Sequence, residues 1–200
     1  MDAFSLLKAD HRKVAELFER LEKTSGKRKL EVFAQIKAEL DLHALIEEKV
    51  FYPALEKPEE THDLTLEAYE EHKQVKSLLR QLSRARTANE EWQAKAKVLQ
   101  ENVEHHVDEE ENELFKKADA ALSDEEIEEL GQRLEAEKER QQGRSSRTSA
   151  GKRATRTSGA KKAGSSKKTG AKKKPATKAA AKKRTGTKKG ARGRSARAAK

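Results

Sequence analysis

The chain has 200 residues and no cysteine, and its charge is divided unevenly along its length. Residues 143–200 hold 22 of the 45 Lys and Arg residues and no Asp or Glu, so they carry about +22 and residues 1–142 about −12. The lack of cysteine excludes disulfides and thiolate metal sites and fits a reducing cytoplasm. The N-terminus is not a signal peptide, and no apolar run reaches the length of a membrane span.

Hydrophobic residues recur at intervals of three and four in four successive segments, which predicts four amphipathic helices. We expect these helices at about residues 2–23, 27–55, 63–86 and 90–120, with Pro53 kinking or ending the second. Ser123 and Glu126 form a capping-box pattern, which predicts a short fifth helix ending near Arg140. With short connections and no period-two alternation, the expected fold class is all-α, an antiparallel up-down-up-down four-helix bundle.

Each of the four main helices carries one histidine in its apolar stripe, at His11, His43, His72 and His106. With a rise of about 1.5 Å per residue, counting from the connecting turns places neighbouring histidines within about 5 Å of one level. Glu47 and Glu110 each follow a stripe histidine by four positions and therefore share its face. Because buried unpaired carboxylates are very costly, we expect a cation between them.

Imidazole and carboxylate donors without thiolate suit iron, manganese or zinc, and two carboxylates can bridge two ions. The sequence therefore predicts a dinuclear metal site formed by His11, His43, Glu47, His72, His106 and Glu110. Glu111 is the alternative carboxylate on the fourth helix. His105, one position off the stripe, is expected beside the ligands, and His62 in solvent. For Tyr69, one turn before His72, packing and a hydrogen bond at the site are the two alternatives.

Four segments resemble the hemerythrin-like, or HHE cation-binding, family: ADHRKVAELFERLE, LDLHALIEEKVFYPAL, YEEHKQVKSLL and VEHHVDEEENELF. The resemblance covers about residues 4–140 and implies an up-down bundle with an oxo- or hydroxo-bridged diiron centre. By position, the four stripe histidines would be terminal ligands, and Glu47 and Glu110 would bridge. The respiratory oxygen carriers of this family have a further histidine where this chain has Lys76. One nitrogen ligand fewer would leave iron more open, which favours reaction over reversible oxygen carriage.

An open diiron site can bind O₂, peroxide or nitric oxide, and a catalase-like or peroxidase-like activity is one form of this chemistry. The ferritin-like carboxylate proteins are a poorer match, because their Glu-x-x-His pairs are missing from the helical stripes. The metal domain is expected to span residues 1–141.

Residues 142–200 form a basic tail without aromatic residues, Leu, Ile or Val, so the tail is expected to be disordered. It resembles the tails of linker histones and basic nucleoid proteins, which implies non-specific DNA or RNA binding near the nucleoid. The densest cationic positions are Lys172, Lys173, Lys174, Lys182, Lys183, Arg184, Lys188 and Lys189. Folding back onto the acidic domain is the alternative for the tail.

Three functional hypotheses combine the two parts of the chain. The first is that the metal domain binds or reduces O₂, peroxide or nitric oxide while the tail holds it at DNA. The second is a DNA-associated iron or redox sensor without turnover. The third is iron-dependent nicking of DNA.

Overall fold

The computed structural model of the chain describes residues 1–157, with side chains described as far as Arg144. Its helices are α1 (Ala3–Glu22), α2 (Gly26–Ile46), α3 (Tyr52–Leu55), α4 (Glu59–Leu82), α5 (Glu90–Glu109), α6 (Phe115–Ala121) and α7 (Asp124–Thr157). Two π-helical segments, π1 (Glu47–Phe51) and π2 (Glu110–Leu114), join α2 to α3 and α5 to α6. No strand occurs in residues 1–157, and the expected all-α up-down bundle is confirmed.

Side-chain caps explain where several helices begin. Asp2 accepts a hydrogen bond from the backbone N–H of Ser5 at 2.8 Å, which caps α1. Glu126 accepts from the backbone N–H of Ser123 at 2.9 Å, and Ser123 Oγ accepts from that of Glu126 at 3.3 Å, so the predicted capping box is formed. Gly26, the first residue of α2, has a φ of 61°, a left-handed conformation that favours glycine.

The second helical stretch ends at Leu55 as expected, whereas both ends of α4 and the end of α7 differ from the expected boundaries. Helix α4 begins at Glu59, directly after Pro58, and ends at Leu82. Pro53 lies in the first turn of α3, where a missing N–H is tolerated, and the chain stays helical to Leu55. Helix α7 runs to Thr157, past the expected end near Arg140, because no proline interrupts it.

The basic tail is largely beyond the part of the chain that the structure describes. The expected boundary between residues 141 and 142 falls within α7, and the division into domain and tail stays a prediction. The cationic positions from Lys172 to Lys189 lie outside the described residues. Within residues 1–157, no helix has the length and hydrophobicity that crossing a bilayer requires.

The apolar core consists of two clusters along the bundle. One cluster fills the end formed by the second half of α1 and the first half of α5, and it includes Phe18, Phe33 and Trp92. The other fills the opposite end, where Phe51 packs beneath α7. The four stripe histidines lie between the two clusters in sequence. The buried cluster residues before each histidine belong to one cluster and those after it to the other, beginning with Leu114 of π2 in the case of His106.

Helix α7 covers the second cluster and is tied to the bundle by charge as well as by packing. It buries Ile127, Leu130 and Leu134. Lys138 Nζ donates to Asp10 Oδ1 at 2.5 Å. The approach is close at Gly131, where an added Cβ would lie 2.3 Å from the carbonyl oxygen of Met1. Glycine is therefore required there, because any side chain would push α7 away from the start of α1.

Candidate metal centre

Four histidine side chains from four helices meet inside the bundle. His11 lies on α1, His43 on α2, His72 on α4 and His106 on α5, and all are buried. His11 Nε2 is 3.1 Å from His43 Nε2, and His72 Nε2 is 3.2 Å from His106 Nε2. Metal–nitrogen bonds of about 2.1 Å place two ligands of one ion roughly 3.0–3.4 Å apart. The inward nitrogens therefore form two pairs, each with the spacing that one metal ion requires.

Two buried carboxylates connect the histidine pairs. Glu47 Oε1 lies 3.1 Å from His43 Nε2, and Glu47 Oε2 lies 3.4 Å from His72 Nε2. Glu110 Oε2 lies 3.2 Å from His11 Nε2 and 4.0 Å from His106 Nε2. Each carboxylate thus approaches one histidine of each pair. This is the arrangement through which a carboxylate can bridge two ions.

Each of these carboxylates belongs to the first residue of a π-helical segment. The backbone N–H of Tyr52 donates to the carbonyl oxygen of Glu47, and that of Phe115 donates to the carbonyl oxygen of Glu110. In such a turn the hydrogen bond spans five residues instead of four, so the helix locally accommodates one extra residue. Turns of this kind are rare and are frequent at functional sites.

The buried oxygens of these carboxylates fit a cation better than they fit hydrogen bonding. Within the described residues, neither oxygen of Glu47 has a hydrogen-bond partner, and neither does Glu110 Oε2. Both side chains are almost fully buried. Burial of an unpaired carboxylate is very costly, and coordination of a metal removes that cost. Potential metal-ligand atoms form two sets, and within each set all the atoms lie within 4.8 Å of one another. One set comes from His11, His43, Glu47 and Glu110, and the other from Glu47, His72 and His106.

The four histidines turn their second ring nitrogen, Nδ1, towards carboxylates at the rim of the site. The Nδ1 to carboxylate distances are 2.7 Å for His11–Glu111, 3.1 Å for His72–Glu48, 2.7 Å for His106–Glu71 and 3.8 Å for His43–Asp10. The first three are hydrogen bonds, and the fourth is a longer contact. A carboxylate at Nδ1 fixes the tautomer that leaves Nε2 free to bind metal and makes that nitrogen more basic.

Glu110 and Glu111 therefore occupy different positions in the site. The Glu110 side chain is 1% exposed and points between the histidine pairs, whereas that of Glu111 is 30% exposed and contacts His11 from the outside. Of the two alternatives that the sequence leaves open, the structure brings Glu110 into the interior. Glu111 lies where it can orient a ligand.

The chain matches a known protein family over more than half of its length. Residues 2–118 match the family model described as the hemerythrin HHE cation binding domain. The chain belongs to this family. Its HHE domain is thus a cation-binding domain, and the histidine and glutamate clusters described above lie within the matched residues.

Two relatives are similar to this chain over most of its length. One is a hemerythrin HHE cation binding domain-containing protein from Mycobacterium kansasii, whose crystal structure is 27% identical with a TM-score of 0.63. The match covers 72% of this chain and 88% of that one. The other is a protein named DNA nickase from Nostoc sp. (strain PCC 7120), 32% identical over 145 residues. That match covers 72% of this chain but 41% of the relative, so this chain spans less than half of the relative's length.

The electrostatics of the HHE centre are governed by opposite charges held close together. Burial alone would lower the pKa of His43, but the carboxylates of Glu47 and Asp10 outweigh it and raise this pKa to about 10. Burial alone would raise the pKa of Glu110, but the histidines beside it, His11 above all, lower it to about 2. The site therefore holds an ionised carboxylate beside a histidine that binds a proton strongly, and a metal ion would compete with that proton.

Tyr52 is the main site residue that the sequence analysis missed. Its hydroxyl is fully buried, lies 3.3 Å from His72 Nε2 and donates to Glu110 Oε1 at 3.3 Å. Burial and the neighbouring carboxylates, first that of Glu110, raise the pKa of Tyr52 well above 10. Tyr52 therefore stays protonated at neutral pH and presents an O–H group to the centre. Tyr69 packs edge-on against Tyr52 with ring centroids 5.0 Å apart.

The remaining candidates lie around the centre. Lys76, at the position of the further histidine in respiratory carriers, forms an ion pair with Glu48, the carboxylate that contacts His72 Nδ1. The hydrogen bond with His72 is the largest cause that lowers the pKa of Glu48, and together with Lys76 it lowers this pKa to about 2. His62 is exposed, and its Nδ1 lies 2.9 Å from the Glu56 carbonyl oxygen. Of Lys76 and His62, the lysine is the one connected to the centre, through Glu48.

Proposed function

We propose that the HHE domain holds two iron ions and that these react with a small oxygen or nitrogen species, namely O₂, peroxide or nitric oxide. His11 and His43 would bind one ion and His72 and His106 the other, with Glu47 and Glu110 bridging. The observation that carries this proposal is the pairing of Nε2 atoms at 3.1 and 3.2 Å with two buried carboxylates that approach both pairs. Iron fits because the donors are imidazole and carboxylate.

The space beside the histidines supports a small ligand. A cavity of about 20 Å³ lies against all four histidines, and its other walls are apolar side chains such as Val14, Leu40, Val75 and Val103. A water molecule needs roughly 10–15 Å³ measured in this way, so the cavity accommodates a ligand of two or three atoms. The apolar walls keep bulk water away, which strengthens electrostatic interactions inside the site.

Bound iron would supply Lewis acidity and one-electron redox chemistry. The protein groups have separate tasks around it. The carboxylates on Nδ1 keep the imidazoles in the ligating tautomer. Tyr52 stays protonated, and its O–H donates to Glu110 Oε1, so it would hold that carboxylate in place beside the ions. The ion pair with Lys76 holds Glu48, the carboxylate that contacts His72 Nδ1.

Metal analysis and optical spectroscopy test the proposal. The purified chain should contain about two iron ions, and its visible spectrum should change when air, peroxide or nitric oxide is added. Replacement of His72 or Glu110 by Ala should remove the iron and the spectral response. Full iron content in either variant would overturn the ligand assignment. Turnover of peroxide would distinguish an enzyme from a sensor that reacts without turnover.

We also propose that the tail holds the domain at nucleic acid. The tail carries about +22, the rest of the chain is acidic, and clustered lysine and arginine bind phosphates by releasing counterions. Removal of all residues after Gln142 should abolish retention of the protein on DNA and leave its iron content unchanged. If six to ten phosphates are contacted, affinity should fall by about 10³–10⁵ between 50 and 200 mM salt. Equal DNA binding by the truncated protein would contradict the proposal.

Nicking of DNA is the second candidate function, and the relative named DNA nickase favours it. The buried ligands and the small cavity would not admit a phosphodiester, and the acidic domain would repel it. Cleavage would therefore proceed through a small oxidant formed at the centre, and not by direct hydrolysis. Supercoiled plasmid should be nicked in the presence of peroxide only if His72 is intact, and the ends should resist ligation. Nicks that ligase reseals would indicate hydrolysis instead.

A further inference from the structure

A second His-x-x-x-Glu pair lies on α5, one residue out of phase with the buried pair. His105 and Glu109 precede His106 and Glu110 by one position, so their side chains are rotated by about 100° around the helix from the buried pair. His105 Nε2 lies 3.4 Å from Glu109 Oε1, and the side chains are 64% and 31% exposed. The pair is therefore accessible from solvent.

Glu71 on α4 completes this outer cluster and links it to the buried centre. Its Oε1 lies 3.8 Å from His105 Nε2, while its Oε2 accepts a hydrogen bond from His106 Nδ1 at 2.7 Å. One imidazole nitrogen and two carboxylate oxygens, from Glu71, His105 and Glu109, lie within 4.8 Å of one another. This donor set suits a divalent transition-metal ion and leaves coordination positions for water.

Among residues 1–142, histidines are the only cationic partners of the two outer-cluster carboxylates. No lysine or arginine in this range forms an ion pair with Glu71 or Glu109. Nearby acids on the same helix are paired differently, as Glu70 is with Lys73. The cluster thus has a surplus of negative charge that a bound cation would neutralise.

Two cavities adjoin the outer cluster, one at the surface and one that extends towards the buried ligands. A surface depression of about 350 Å³ adjoins it, lined by Glu67, Glu70, Glu71, Gln74, Asn102 and His105. At about 30 Å³ per water, this space holds an ion with several of its waters. A narrow cleft on the other side of Glu71 is lined by Glu109, His106 and Glu110, so it reaches from the outer cluster to the buried ligands.

We propose that Glu71, His105 and Glu109 form a second metal site, which takes a hydrated divalent transition-metal ion from solvent and passes it to the buried centre. Three protein ligands at the surface make an exchangeable site. Glu71 contacts both places, because one of its oxygens faces the outer ion and the other holds His106. The delivery role rests on the proposed iron centre, whereas binding at the outer site does not.

Binding at the outer site is tested with Mn²⁺ on the full chain, after the buried centre has been filled with iron. The test variant is His105→Gln with Glu109→Gln, which leaves Glu71 and its bond to His106 intact. The matched control is His62→Gln, since His62 is an exposed histidine on the same bundle. The unmodified chain and the control should each bind about one Mn²⁺ more than the double variant, measured by loss of the free-ion electron paramagnetic resonance signal. Equal binding by all three would overturn the site.

Delivery is tested by the rate of Fe²⁺ uptake at limiting concentration. The double variant should take up iron severalfold more slowly than the unmodified chain and reach the same final content. Equal rates would overturn the delivery role. If no chain takes up iron, the proposed function fails. The Mn²⁺ comparison, repeated with His72→Ala in every chain to remove the buried site, would then still decide whether the outer site exists.

Discussion

Replacement of Glu110 and of Glu111 should have effects of different kinds, although the two residues are adjacent and carry the same charge. Glu110 lies between the histidine pairs, 3.2 Å from His11 Nε2. Glu111 contacts the other nitrogen of the same imidazole at 2.7 Å and is partly exposed. The first change should remove a ligand atom, and the second only the group that orients a ligand.

The expected magnitudes follow from these contacts. Loss of a carboxylate that holds a ligating histidine lowers metal affinity about 10–100-fold, which corresponds to about 1.4–2.7 kcal/mol. Glu111→Gln should therefore retain two metal ions at saturation and release them to a chelator at 10–100-fold lower chelator activity. Glu110→Gln should fail to retain the full number of ions at any concentration that leaves the protein folded.

Chelator competition followed by metal analysis measures both quantities. Glu113→Gln is the matched control, because Glu113 is an exposed acid in the same π-helical segment, and this variant should behave as the unmodified chain. If Glu111→Gln bound fewer metal ions while Glu110→Gln bound the full number, the placement of Glu110 inside the site and of Glu111 at its rim would be refuted. Equal losses in both variants would refute the distinction between them.

Three further predictions concern stability. In the metal-free protein, folding raises the pKa of His43 from 6.5 to about 10. The stabilising contribution of His43 is therefore complete below pH 6.5 and is lost as the pH rises towards 10. Tm should fall over this pH range, and a constant or rising Tm would contradict the prediction. Gly131→Ala should lower the free energy of unfolding in urea by about 1–3 kcal/mol, because the added Cβ lies 2.3 Å from a backbone atom. In the control variant Gly143→Ala no atom lies within 4 Å of the added Cβ, so this change should be neutral or stabilising. Tyr52→Phe should cost about 1–3 kcal/mol, since it leaves Glu110 Oε1 without its donor, and unchanged stability in urea would show that this hydrogen bond is not formed.

The bundle and the position of its polar layer could be predicted because both depend on regular α-helical spacing. A histidine in an apolar stripe is conspicuous, and the register across short turns can be counted from the sequence. The same reasoning placed Glu47 and Glu110 on the inner faces of their helices. These features are local or periodic, so a single sequence suffices to reveal them.

The parts that escaped prediction depend on departures from regular spacing or on neighbours in space. Tyr52 follows Glu47 by five positions, and only the π-helical turn brings it to the centre. In a regular α-helix Phe51 would occupy that face. Asp10, Glu48 and Glu71 could not be distinguished from the many solvated acids of the chain, because their role depends on imidazoles from other helices.

The two π-helical segments also determine where the length of this domain can vary. Each absorbs one extra residue, and the apolar stripes on both sides keep their alignment with the core. When related chains are aligned, a one-residue gap at residues 47–51 or 110–114 should therefore leave the bundle intact. Such a gap would mark relatives whose metal centre differs, even where every buried apolar position is retained.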